Sequence, residues 1–248
     1  MSELYAFDAD HIVVPFNARP QSETPVIVYH KLRKPTLAEL LDRENQIKYE
    51  LVEISSREDE IQTDDEIANA RLWDKIALAV KGYKGADDWR ELTDDERAAM
   101  RPGHKSTAIR TMYAGSCEVE GDEDGVSIGA DTWTVKQSIG LKKDAPDFVV
   151  LHTLREPTEA ERVKFKRSAS STSYVKGAKK AQVRIRTNLK AYIELYDALI
   201  VAIDHATVAD RPFLGAENRA QFISVIDPIW KRQIIQCLMA NLEAQLSD

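Results

Sequence analysis

Residues 26–39 read VIVYHKLRKPTLAE and residues 148–161 read FVVLHTLREPTEAE, a match of eight identities in fourteen positions without a gap. The identities pair Val28 with Val150, His30 with His152, Leu32 with Leu154 and Arg33 with Arg155, then Pro35 with Pro157, Thr36 with Thr158, Ala38 with Ala160 and Glu39 with Glu161. The opening β-branched and apolar residues suit a strand ending near Leu32. The proline disfavours helical geometry at the residue before it. Thr36 is followed three residues later by Glu39, and Thr158 by Glu161, which is the spacing of a capping box. The stretch therefore predicts a strand running into a capped helix, twice, with Thr36, Glu39, Thr158 and Glu161 as structural capping residues. TDDE at 63–66 and at 93–96 carries the same signature, with acidic residues suited to the positive end of a helix.

Further along the chain, RLWDKIALAV (71–80) aligns with ELYDALIVAI (194–203), and a weaker match sets RPGHKSTAIRTMY (101–113) against DPIWKRQIIQCLM (227–239). Three blocks in one order, with slowly growing offsets, are what a tandem duplication leaves after small loop insertions. The expected domains are residues 1–122, a first and acidic copy, and residues 123–248, a second copy with a basic arm at 162–190. In the second copy Ile185, Leu189, Tyr192, Ile193, Tyr196, Leu199, Ile200 and Ile203 fall at helical spacing. Ile67, Ala70, Trp73, Ala77 and Val80 do so in the first, and Pro102 and Pro228 stand where a last helix could begin. Between the copies, CEVE and TWTVKQSI alternate like strands around Gly- and Asp-rich turns. The expected fold class is helix-rich α+β: a strand-then-three-helix module, duplicated, with a β-hairpin-like segment between the copies.

A chain of 248 residues is long enough for two cores, and its 43% hydrophobic and 30% charged residues are ordinary for a soluble globular protein. MSELYAFDAD lacks the basic and apolar regions of a signal peptide, and the apolar run 198–203 is far too short to cross a bilayer. Cys117 and Cys237 have no metal-type spacing and read as reduced, buried thiols. A soluble intracellular protein with no membrane contact is expected.

Candidate chemistry is sparse. His30 and His152, related by the repeat, invite a paired metal or acid–base site, yet no Cys, Asp or second His stands at ligand spacing, so packing is the better reading. EGDEDGVSIGAD (120–131) has acidic residues at positions 1, 3 and 5 and glycine at 6 of a calcium loop. It lacks the glutamate at 12 and reads as a hairpin turn. SASSTS (168–173) has no nearby base pattern and reads as a flexible loop. No catalytic residue, metal site or cofactor is expected, and the protein is not read as an enzyme.

Charge says more. Residues 162–190 hold ten basic residues and no acidic one, whereas residues 40–68 hold ten acidic against three basic. Opposite signs at equivalent places would steer association, and a pairing that cannot close within a chain runs head-to-tail into rings or filaments. The expected partner-binding residues are Lys164, Lys166, Arg167, Lys176, Lys179, Lys180, Arg184 and Arg186 on one arm. On the other they are Glu58, Asp59, Glu60, Asp64, Asp65 and Glu66. The alternatives are solvated faces with no partner and a nucleic-acid-binding protein that uses the basic arm 162–190.

A strand running into LRxPT and a capped helix resembles the opening of the tail assembly chaperones of tailed bacteriophages. The residues are Leu32, Arg33, Pro35, Thr36 and Glu39, repeated as Leu154, Arg155, Pro157, Thr158 and Glu161. The resemblance covers about twenty residues per copy; such proteins are usually shorter and single-copy. It implies a non-enzymatic phage assembly or virion structural protein, with tail components, other phage structural proteins or itself as partners. Its place would be the host cytoplasm during assembly, or the virion.

Overall fold

The computed structural model describes residues 4–55, 58–120, 132–140, 148–175 and 182–245. In chain order the first elements are β1 (Tyr5–Ala6), β2 (His11–Asn17), β3 (Ile27–Arg33), α1 (Leu37–Gln46), β4 (Lys48–Ser55), β5 (Glu58–Asp64), α2 (Glu66–Ile76), β6 (Ala77–Lys81), α3 (Asp94–Ala99) and α4 (Pro102–Met112). Then come β7 (Gly115–Val119), β8 (Thr132–Ile139), β9 (Phe148–Arg155), α5 (Glu159–Ser168), β10 (Ser170–Val175), β11 (Gln182–Thr187), α6 (Leu189–Leu199) and β12 (Ile200–Asp204). The chain ends with β13 (Ala206–Val208), β14 (Arg211–Pro212), α7 (Arg219–Val225) and α8 (Pro228–Gln245). The fold is α+β, with strands interleaved among the helices where the sequence led us to expect strands first and about three helices after.

The elements fall into two units, each discontinuous in sequence. The His152 unit holds Met1–Ala9, Tyr113–Ala169 and Asn188–Asp248; the His30 unit holds Asp10–Met112 and Ser170–Thr187. This differs from a division at 122/123 for a backbone reason. β1 pairs in parallel with β13, and the hairpin β10–β11 pairs with β4, so two short segments belong to the unit whose sheet they join.

In the His30 unit β3 is the middle strand of the antiparallel sheet β2-β3-β6, with His30 opposite Val14 on one side and Val80 on the other. In the His152 unit β9 lies between β8 and β12 in the sheet β12-β9-β8-β7, with His152 opposite Val135 and Ile203. The third strand of each shifts register at the same place. Lys31 faces Ala79 and Leu32 faces Ala77; Thr153 faces Ala202 and Leu154 faces Ile200. The skipped residues, Leu78 and Val201, are exposed, as an extra residue in a bulge is free to be.

These third strands correct the periodicity reading. α2 ends at Ile76 and α6 at Leu199, so Ala77, Val80, Ile200 and Ile203 are strand residues, while Ile185 lies in β11. A short apolar run is ambiguous in period, and pairing with β3 or β9 decides it. The helices α4 and α8 do begin at Pro102 and Pro228. They pack on α2 and α6, burying Trp73, Ile109, Tyr196 and Ile234 completely.

The His30 unit carries a second sheet, β10-β11-β4-β5, antiparallel throughout. Within SASSTS, Ser170 onward is therefore strand, not flexible loop, because each residue is paired with β11. Of the two TDDE stretches, the one at 93–96 caps α3 with a full capping box. At 63–66 Thr63 is paired with Tyr49 inside β5, and the N-cap of α2 is Asp65, which makes no side-chain cap bond. CEVE and TWTVKQSI form the antiparallel pair β7–β8, and the calcium-like residues 121–131 between them lie outside the described residues.

Candidate functional site

The repeated phrase makes one junction in both places. Thr36 Oγ1 accepts from the Glu39 amide at 3.3 Å, and the Glu39 carboxylate accepts from the Thr36 amide at 2.8 Å. Thr158 and Glu161 repeat both bonds at 3.3 and 2.8 Å. The arginine of the phrase completes the junction. Arg33 donates to both Glu39 oxygens at 2.9 and 2.6 Å, and Arg155 to both Glu161 oxygens at 2.9 and 2.7 Å. Hydrogen bonds from the arginine, reinforced by the threonine, hold each glutamate far down, at about 2.

Each unit also buries a second constellation that the sequence reading missed. Trp73 Nε1 donates to His30 Nδ1 at 2.7 Å. Indole nitrogen can only donate, so His30 carries its proton on Nε2 and donates it to the Tyr83 hydroxyl 2.8 Å away. Beside Trp73, Asp74 binds Lys105 at 2.6 Å, and the Lys105 ammonium lies 5.3 Å from the Trp73 ring centroid.

In the other unit Tyr196 stands at the tryptophan position. Its hydroxyl lies 2.9 Å from His152 Nδ1, and His152 Nε2 meets the Gln137 amide oxygen at 3.1 Å. The acceptor at Nε2 puts the proton there again, so Tyr196 donates to Nδ1. Asp197 binds Lys231 at 2.6 Å, and that ammonium lies 5.5 Å from the Tyr196 ring. Strand histidine, helix aromatic, helix aspartate and final-helix lysine thus recur as His30–Trp73–Asp74–Lys105 and His152–Tyr196–Asp197–Lys231. The signal was present in the aligned blocks, where Asp74 matches Asp197 and Lys105 matches Lys231.

Both histidines have no exposed surface. Burial, helped at His30 by the neighbouring His104, pushes each down to about 3, so both are neutral imidazoles at pH 7. What these groups do is fasten the middle strand to the helix behind it. The lysines, 5% and 3% exposed, fasten the same helix to the last one. His30 and His152 do not form a shared site: as the packing reading expects, each sits in an interior network of its own unit.

The charged arms are distributed as follows. Lys164 pairs with Glu194 at 3.2 Å and Lys166 with Glu243 at 3.0 Å, both on the surface of the His152 unit, and Arg167 is exposed on the same helix. Asp65 pairs with Arg110 and lies 3.8 Å from Arg43; Asp64 and Glu66 are exposed at the start of α2. Glu58, Asp59 and Glu60 belong to β5, Arg184 and Arg186 to β11. Lys176, Lys179 and Lys180 lie outside the described residues. The acidic and basic hairpins are brought together: β11 pairs with β4, with Gln182 opposite Glu50. Among the described residues no helix is long and apolar enough to cross a membrane.

In comparisons with known proteins, no family model, no curated protein and no solved structure matches the chain.

Proposed function

We propose that this is a non-enzymatic assembly or structural protein of a tailed bacteriophage, made of two copies of one module and acting through protein–protein contacts with tail components. The observation that carries the reading is the sheet β10-β11-β4-β5, built from an acidic and a basic hairpin, whose outer strands β5 and β10 each have one strand neighbour among the described residues. Outer strands present a row of peptide groups to a further strand, and recruitment by strand addition is a general mode of protein recognition. The matching LRxPT junctions and the matching buried constellations support the two-copy origin. The use of His30 and His152 as internal fasteners leaves the repeated residues a structural explanation that needs no reaction.

Co-sedimentation of the purified chain with tail tube and tape-measure proteins tests this reading. Binding that weakens as salt is raised is expected, because the hairpins carry opposite charge. A chain that captures neither protein at any salt concentration contradicts it. A shift of DNA in a gel that disappears when Lys179, Lys180, Arg184 and Arg186 become glutamine would instead establish nucleic acid as the partner of the basic arm.

A further inference from the structure

The four-stranded sheet of the His30 unit is one hairpin repeated. Lys48 faces Asp64 in β4–β5 as Ser170 faces Thr187 in β10–β11. β4 and β10 are related by the same spacing as α1 and α5, and β5 and β11 by the same spacing as α2 and α6. The two hairpins are not joined like edge to like edge. The second strand of one, β11, lies against the first strand of the other, β4. A head-to-tail junction of this kind leaves unlike outer strands, β10 on one side and β5 on the other. Because every neighbour is antiparallel, a further β10 beside β5 would run as β4 runs beside β11.

We propose that β5 takes β10 of a second copy of this chain as its next strand, so that the β11–β4 junction recurs between molecules. The proposal rests on the protein–protein reading above and names one partner for it. Carrying the Gln182–Glu50 register forward by the repeat spacing sets Asp59 opposite Thr172 of the second copy, Glu58 opposite its Ser173 and Glu60 opposite its Ser171. By sequence β5 holds four acidic residues and no base, so two β5 strands repel each other. β10, SSTSYV, holds no charge and no proline, the usual devices that stop an edge from pairing. Since unlike edges meet, a single such contact between two molecules leaves one β5 and one β10 still open. Repeated, it continues into a ring or a filament.

Two double variants of the full chain test the contact. Positions 171 and 173 lie opposite Arg186 and Arg184 within the hairpin, but opposite Glu60 and Glu58 across the proposed junction. The two settings ask for opposite charge. Ser171→Glu with Ser173→Glu favours the hairpin and opposes assembly; Ser171→Lys with Ser173→Lys does the reverse. Sedimentation velocity, with thermal unfolding recorded in parallel, should show the glutamate pair folded and assembling about tenfold more weakly than wild type. The lysine pair should assemble at least as well as wild type.

Equal assembly by both variants, or loss in the lysine pair matching that in the glutamate pair, would overturn the proposal. So would a wild-type chain that stops at a dimer or stays a monomer. Capture of tail proteins by a monomeric chain would overturn the self-pairing and leave the assembly role standing. Growth of the chain alone, with no capture of tail proteins, would do the opposite.

Discussion

The indole Nε1–H of Trp73 donates to Nδ1 of His30 at 2.7 Å, which fixes the tautomer of a histidine that has no exposed surface. Protonating His30 would turn that acceptor into a second donor facing the indole N–H. His152 meets the Tyr196 hydroxyl at the same ring nitrogen, though a hydroxyl, unlike an indole, can also accept a hydrogen bond. Folded, both histidines titrate at about 3, against 6.5 for the free side chain. The unfolded chain therefore takes up protons first as pH falls. Their contribution is full above pH 6.5 and declines by about 1.4 kcal/mol per pH unit per histidine until the folded value is reached. Urea midpoints should fall between pH 7.5 and 5.0. Glu39 and Glu161, with a free value of 4.5, add a further loss only below that window. Midpoints unchanged across it would show that the histidines are not buried neutral.

Tyr196→Phe keeps the ring and removes the hydroxyl, leaving His152 Nδ1 without its donor in the core. The expected cost is about 1–3 kcal/mol in chemical denaturation, the penalty for an unsatisfied buried polar group. A neutral result would mean that the 2.9 Å contact is not a hydrogen bond that matters to stability.

The two members of each ion pair should respond unequally. The Lys231 side chain is 4% exposed and that of Asp197 31% exposed. Asp197→Ala takes the carboxylate from an interior ammonium that keeps only a neutral partner among its close bonds, the Ile223 carbonyl at 2.6 Å, and should cost about 3 kcal/mol. Lys231→Met leaves a carboxylate that water can reach and an apolar stem in place, and should cost clearly less. Lys105 and Asp74, at 6% and 44%, should follow the same order. Thermal unfolding of the four variants checks both pairs.

Thr36→Ala and Thr158→Ala each remove one capping oxygen from equivalent junctions. Each should cost about 1 kcal/mol, and the two costs should agree within a few tenths. Values that differ widely would separate the two junctions energetically despite their matching geometry.

How far the fold could be read from residues depends on where its determinants lie. The strand-to-helix junctions were legible because proline, threonine and glutamate act on their own neighbours. The β7–β8 pair was legible from its alternation. The arms were not: EDEIQTD in β5 has no apolar periodicity, and SSTSYV in β10 is mostly hydroxyl side chains. Both become strands through pairing with distant or adjacent segments, which no local window contains. Ala77–Lys81 and Ile200–Asp204 continue the apolar spacing of the helices before them, and only the waiting edges of β3 and β9 turn them into strands. The buried lysines were missed because a charged residue reads as surface. Their matched aspartates, one helix away, were the available sign that they are not.

The most direct test of the whole account is sedimentation velocity of the purified full chain from dilute to concentrated solution. If β5 takes β10 of a second copy as its next strand, the chain should give a sedimentation coefficient that climbs with concentration past that of a dimer. A single monomeric species at every concentration would contradict it.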